Sequence, residues 1–266
     1  MAAAEIGVIG GSGLYALLDD ADAAEELELD TPFGPPSDPL VLGTVGGRRV
    51  AFLPRHGRDH RFPPHRIPYR ANLWALRAAG VRQVLAPCAV GGLQPTQAPG
   101  DLVVPDQLVD RTSGRAQTFH DDWSGRGPVH VSFADPYCPA GRAAAVAQAQ
   151  QAGWTVTDGG TMVVVEGPRF STRAESAHYA QQGWSVINMT GHPEAVLARE
   201  LKLCYTAIAL ITDLDAGVHG GAEVSQEEVF QVFREKTEAL RVLLHNIVGS
   251  LATDRTCSCD HDLDLP

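Results

Sequence analysis

Residues 161–215 read TMVVVEGPRFSTRAESAHYAQQGWSVINMTGHPEAVLARELKLCYTAIALITDLD, and three apolar runs within them each stop at a polar knot. Val163 to Val165 ends at Glu166-Gly167-Pro168-Arg169-Phe170, Val186-Ile187 ends at Asn188-Met189-Thr190, and Ile208 to Ile211 ends at Thr212-Asp213-Leu214-Asp215. Helical patterns fill the intervals. Short β-rich runs alternating with amphipathic helices predict an α/β domain built on a mixed, mainly parallel twisted β-sheet flanked by helices. In such sheets ligands collect just beyond the carboxyl ends of the strands. The three knots are therefore expected to line one cleft.

Outward from this stretch the same alternation continues. Ile6 to Ile9 is a short strand running into Gly10-Gly11-Ser12-Gly13, a loop whose amides could approach an anion and to which Ser12 adds a hydroxyl. It carries neither a GxGxxG fingerprint nor a Walker A lysine, so a dinucleotide or P-loop nucleotide is not supported. A hairpin is expected with its turn at Gly46-Gly47, and its second arm, Val50 to Leu53, delivers Arg55 and His56 at a strand end. A guanidinium and an imidazole placed there can both donate to an anion. His56, His60 and His65 lack helix-borne metal-ligand spacing, and Pro63-Pro64 interrupts any helix between them, so no metal is expected. Tyr69 to Ala79 reads as a helix, Val81 to Ala89 as a strand leading into the small-residue loop Cys88-Ala89-Val90-Gly91-Gly92, and Asp101 to Pro105 as another strand. Residues 106–139 read as a long Gly-, Asp- and Pro-rich loop, of the kind that is functional or covered by a partner. Helices are expected over Gly141 to Ala152 and Ser225 to Leu251, the latter with Glu227, Glu228 and Glu235 on a solvated face.

Composition narrows the function classes. Of 266 residues, 44% are hydrophobic and 20% charged, which suits a soluble globular protein with a large core. A net charge of −11 argues against nucleic acid or an anionic membrane as the main partner, while still permitting a small anionic substrate on local donors. There is no apolar run long enough to span a bilayer, and the first residues lack the pattern of a signal peptide, so a cytoplasmic location is expected. Five cysteines, Cys88, Cys138, Cys204, Cys257 and Cys259, are too few for a disulfide scaffold. Residues 254–266, with the CSC triplet at Cys257 to Cys259, are expected to form a disordered tail with reduced thiols beyond a single domain over 1–253.

The motifs EGPRFSTRAES (166–176), NMTGHPE (188–194) and TDLD (212–215), together with GGSGLY, DTPFGPPS, PRHGRDH and HVSFADPYCP elsewhere, closely resemble those of the trimeric purine nucleoside phosphorylase superfamily, and within it the 5′-methylthioadenosine phosphorylases. The match covers nearly all of residues 5 to 250. The resemblance implies the purine nucleoside phosphorylase-like fold, inorganic phosphate as co-substrate with no other cofactor, and a homo-oligomer, a trimer or a dimer of trimers. It also implies that a Cys138–Cys204 or tail disulfide can occur, as in some thermostable relatives.

Carried over residue by residue, the resemblance places phosphate on Gly11, Ser12, Arg55, His56, Ala89 and Thr190, with Cys88 where the family commonly has a hydroxyl. A thiol is a poor donor, so this position departs from the pattern. Met189 would pack beneath the ribose, although a methionine after an apolar run is by itself ordinary core. His130 would reach over the 5′ end of the nucleoside from a neighbouring subunit. Phe170 would pack on the purine, and Gln226, Val229 and Phe230 would form the 5′ subsite. In that subsite Gln226 breaks an otherwise apolar pattern and could bond a 5′-hydroxyl.

Asp213 and Asp215 would form the catalytic pair. Two carboxylates two apart at a strand terminus point to one side if the strand continues, although in isolation such acids are as often capping or solvated loop residues. One carboxyl with a raised pKa can protonate N7 of a departing purine and accept from a 6-amino group; relatives acting on 6-oxopurines typically carry asparagine at the position of Asp213. The expected reaction is phosphorolysis of 5′-methylthioadenosine to adenine and 5-methylthioribose 1-phosphate. The alternatives are a purine nucleoside phosphorylase acting on adenosine or 6-oxopurine nucleosides, and a non-catalytic nucleoside-binding protein.

Overall fold

The computed structural model describes residues 3–11, 14, 24–121, 129–218 and 224–259. In chain order the elements are β1 (Ile6–Gly10), β2 (Glu25–Leu27), β3 (Leu40–Val45), β4 (Arg48–Pro54), α1 (Tyr69–Ala78), β5 (Gln83–Gly92), β6 (Leu102–Val104), β7 (Gln107–Arg111), α2 (Pro139–Gln151), β8 (Val156–Asp158), β9 (Thr161–Val165), α3 (Arg173–Gln181), β10 (Val186–Asn188), α4 (Gly191–Glu200), β11 (Cys204–Leu214) and α5 (Gln226–Ser250). The strands form one mixed sheet. Its spine is β2-β3-β4-β1-β5-β10-β9-β7, and β11 with β6 and β8 branches from β5. The pairs β1/β4, β1/β5, β5/β11, β6/β8, β7/β9 and β9/β10 are parallel, as the alternation of strands and helices predicts.

Two apolar layers cover the sheet. Along β11, Tyr205, Ala207, Ala209 and Ile211 face one layer with Leu73 and Leu76 of α1 and Leu197 of α4. Ile208 and Leu210 face the other layer with Val146 of α2 and Leu240, Leu244 and Ile247 of α5. This period-two division is what a strand buried on both faces requires. Among the described residues no helix is long and apolar enough to cross a membrane.

Three local expectations are corrected. Cys88 to Gly92 is not a loop: β5 runs through to Gly92 because Gly91 and Gly92 leave room for the side chains of the neighbouring strands. A Cβ at Gly91 would lie 2.9 Å from Ile187 Cγ2 and 3.2 Å from both Asp213 Oδ1 and Asp215 Cβ. The long loop opens with β7, which pairs with β9 over Gln107 to Arg111. The chain from 254 to 259 is anchored through its cysteines: Cys257 and Cys259 are buried against Cys138 and Cys204, while Asp254, Thr256 and Ser258 are exposed. Residues 260–266 of the expected tail lie outside the described residues.

Candidate active site

The ends of β1, β4, β5, β9, β10 and β11 meet α5 around a cavity of about 480 Å³. That volume lies in the range that encloses a small organic ligand. Twelve of the residues expected to form the site line it: Gly11, Arg55, His56, Cys88, Ala89, Phe170, Met189, Thr190, Asp213, Asp215, Val229 and Phe230. Ser12 lies outside the described residues. His130 is exposed and does not line the cavity within this chain.

Gln226 is a correction: it is exposed in the first turn of α5 and stands off the cavity. The helix reaches the cavity only from Val229 and Phe230, and then adds Phe233, Arg234 and Thr237. These follow at helical spacing from Phe230, so extending the periodicity by two turns would have found them.

The base of the cavity near β1 and β5 holds Arg55, which is 3% exposed. Its fork does not face the cavity as a free cation. Nε and Nη2 donate to Glu194 Oε1 and Oε2 at 2.5 and 3.1 Å, Nη1 donates to the Pro87 carbonyl at 3.0 Å, and Nη2 also donates to the Ile9 carbonyl at 3.1 Å. Tyr205 Oη completes this buried set by donating to Glu194 Oε2 at 2.7 Å. Burial works against the Arg55 charge, and the adjacent Glu194 more than offsets it, raising the guanidinium pKa. A guanidinium has five N–H donors, so one on Nη1 is left for a ligand.

His56 also departs from expectation. Its Nδ1 lies 2.8 Å from the Phe62 carbonyl, which can only accept, so Nδ1 carries a proton. Burial lowers the imidazole pKa to about 4, with the Arg55 charge acting in the same direction. The neutral ring therefore turns an acceptor Nε2, not a donor, toward its surroundings. Cys88, in the same wall, is pushed up to about 12 by burial and stays a neutral thiol.

Asn188 organises the β10 knot. Its Oδ1 accepts from the Thr190 and Gly191 amides at 2.7 and 2.6 Å and from Thr190 Oγ1 at 3.3 Å, while Nδ2 donates to the Ala89 carbonyl at 3.2 Å. Arg115 binds two knots together, donating to Glu166 Oε2 and to the carbonyls of Glu166, Met189 and His192. Sequence reasoning missed it, because a lone arginine in a polar loop carries no periodic or motif signal. Met189 is held from the other side by Gly167, whose φ is +65°, and a Cβ there would come within 2.6 Å of the Met189 sulfur.

At the end of β11 a bulge passes over Thr212, so that Asp213 pairs with Gly91 and the Asp215 amide still donates to the Gly92 carbonyl at 3.0 Å. Both carboxylates thus flank Gly91. Asp215 is buried and accepts from Ser176 Oγ at 2.6 Å. Asp213 accepts from Thr212 Oγ1 at 2.9 Å, yet burial, with Asp215 adding to it, raises its pKa to about 6. A carboxyl so poised can hold a proton and give it up near neutral pH.

The model of the Phosphorylase superfamily matches residues 5–249. The chain belongs to that family. It is 61% identical to the purine nucleoside phosphorylase of Streptomyces coelicolor, covering 96% of this chain and 93% of that one. It is 55% identical to the S-methyl-5′-thioadenosine phosphorylase of Mycolicibacterium smegmatis, over 95% and 93% of the two chains. Methylthioadenosine phosphorylase from Schistosoma mansoni, solved in complex with adenine, superposes with a TM-score of 0.88 at 35% identity, over 95% of this chain and 93% of that chain. Membership of this family makes the protein a pentosyltransferase of the purine nucleoside phosphorylase type.

Proposed function

We propose that the enzyme catalyses the reversible phosphorolysis of 5′-methylthioadenosine, giving adenine and 5-methylthioribose 1-phosphate, with inorganic phosphate as its only co-substrate. The observation that carries this reading is Asp213, a carboxyl raised to about 6 at the cavity wall. Protonated, it donates to purine N7; ionised, it accepts from a 6-amino group. Val229, Phe230 and Phe233 supply apolar surface suited to a methylthio substituent.

Phosphate would sit among the Gly11 and Ala89 backbone, the Thr190 hydroxyl released from its long bond to Asn188, and the remaining Arg55 N–H. A phosphate O–H would donate to His56 Nε2, so the bound phosphate keeps at least one proton. In the reaction the C1′–N9 bond breaks, its electron pair passes to the purine, and the Asp213 proton moves to N7. A phosphate oxygen then forms the new bond at C1′. Charge on the ribosyl group is met by phosphate beneath the ring, so no covalent enzyme intermediate is required.

The S. coelicolor relative's name supports a second reading, a phosphorylase for ordinary purine nucleosides. Incubation with methylthioadenosine, adenosine and inosine, each with and without phosphate, separates the two. Highest kcat/KM on methylthioadenosine, with adenine released only when phosphate is present, is the expected result. A preference for inosine sinks the first reading, and release without phosphate would make the enzyme a hydrolase. The same proposal includes a cytoplasmic homotrimer, or a dimer of trimers, in which His130 of a neighbouring copy completes the 5′ end. Mixing inactive His130→Ala and Asp213→Asn chains should restore activity in mixed oligomers, and failure in verified mixed oligomers removes His130 from the site.

A further inference from the structure

At the opposite end of β11 from Asp213, four cysteines converge. Cys204 is the first residue of β11, Cys138 is the N-cap of α2, and Cys257 and Cys259 arrive from the segment after α5. All four are buried, between 2% and 6% exposed, and their sulfurs lie within 4.8 Å of one another. None is joined in a disulfide; the Cys204 and Cys257 sulfurs are 3.4 Å apart. A tetrahedral tetrathiolate with Zn–S bonds of about 2.3 Å has sulfur separations of about 3.8 Å, so the cluster already has the dimensions of such a cage.

We propose that Cys138, Cys204, Cys257 and Cys259 form a structural zinc site. The chemistry of the donor set selects the metal class. Four soft thiolates on four separate backbone positions suit a borderline-soft divalent ion with no geometric demand beyond a tetrahedron. Thiols are weak hydrogen-bond donors, so four of them buried against each other gain little as neutral groups. Part of the charge of a bound tetrathiolate is met by the first turn of α2, where the Gly141 amide points at Cys138 Sγ at 3.5 Å. Binding converts four thiols and one Zn²⁺ into the tetrathiolate with release of up to four protons, and no oxidant or reductant takes part.

The site fastens the C-terminal segment to the base of the sheet. Elsewhere that segment is held by Leu251, buried in the second apolar layer, and by polar contacts that include Gln83 Nε2 to the Ala252 carbonyl at 2.9 Å and Arg255 Nη1 to the Lys202 carbonyl at 2.7 Å. It follows directly on α5, whose N-terminal half, from Val229 to Thr237, walls the cavity about 20–32 Å away along the helix. Zinc therefore acts on stability and on the seating of α5, and touches no substrate.

The test uses the full chain purified under reductant without chelator. Elemental analysis should find about one zinc per chain, and Cys257→Ser/Cys259→Ser chains should retain less than a tenth of that. After removal of zinc, titration of the reduced protein with Co²⁺ should produce the intense visible bands of tetrahedral thiolate-bound cobalt, and added Zn²⁺ should bleach them. Thermal unfolding of the metal-free protein should fall by at least about 5 °C, while kcat at 25 °C changes less than twofold. Wild-type protein that holds no zinc and gives no cobalt spectrum overturns the proposal, whether its thiols titrate as free groups or as disulfides. Iron in place of zinc overturns it too. Both wild-type measurements stand even where the double variant fails to fold.

Discussion

Two pairs of ionisable side chains meet at the cavity in different surroundings, one pair with only Arg55 in the wall and the other with both members there. Arg55 and Glu194 lie behind the end proposed for phosphate, opposite in sign and joined bidentately; Arg55 also donates to two carbonyls and Glu194 accepts from Tyr205, which leaves one Arg55 N–H over. Asp213 and Asp215 lie at the end proposed for the purine. They are like in sign, with one hydroxyl donor each, and no cation is among the hydrogen-bond partners described for them. Matched charges in a buried setting hold architecture, since each removes the other's desolvation penalty. An unmatched carboxylate is destabilised and becomes available for proton transfer. This contrast supports the proposed division, with proton transfer at Asp213 and the shaping of the proposed anion site at the ion pair.

The largest effect should come from Asp213→Asn, which keeps the shape and removes the acid. kcat on methylthioadenosine should fall roughly 10²–10⁴-fold, while the kcat/KM ratio of inosine to methylthioadenosine rises. Stability should move the other way. The folded-state pKa of about 6 lies above the ordinary 3.8, so the contribution of Asp213 is fully present below about pH 4 and is lost as pH rises through 6. An asparagine side chain does not titrate and carries no such loss, so the variant should melt higher than wild type at pH 7.5 and lose that advantage at pH 4. An unmoved substrate ratio would take the 6-position away from Asp213.

Glu194→Ala tests the other pair. Leaving the Arg55 guanidinium buried without its partner should cost about 3–5 kcal/mol of stability in urea unfolding. Loss of phosphate affinity with unchanged stability would mean that the pair serves substrate binding and not architecture, and the contrast would be wrong. Ser176→Ala removes the single described hydroxyl donor to Asp215, and a bond to a charged group is worth about 1.5–3 kcal/mol. Nucleoside KM should rise about tenfold or more, with phosphate KM unchanged.

Phe233→Ala, one helical step beyond Phe230, should lower kcat/KM for methylthioadenosine by about tenfold through lost apolar contact. The smallest effect is expected at Gln226. Because it stands off the cavity, Gln226→Val should change the ratio of kcat/KM for methylthioadenosine and adenosine by less than twofold. A large response at Gln226 would show that the first turn of α5 turns inward when substrate binds.

The sequence by itself determined the parts that follow from local pattern. The strand ends of β9, β10 and β11 were visible as apolar runs breaking at polar knots, and their convergence follows from the way parallel sheets are wound. The family motifs brought Phe170, Met189, Thr190, Asp213 and Asp215 to one cavity, where the structure has them. What only the tertiary structure decided depends on partners far apart in the chain. Glu194 neutralises Arg55 across 139 positions, and the Phe62 carbonyl sets the tautomer of His56. Arg115 reaches its knots from a loop without pattern, and Cys257 and Cys259 find Cys138 and Cys204 from what reads as a loose tail. Composition and periodicity report which face a residue turns to the core. They do not report which charge, carbonyl or thiol it meets there, and those meetings set protonation state, donor direction and the capacity to hold a metal.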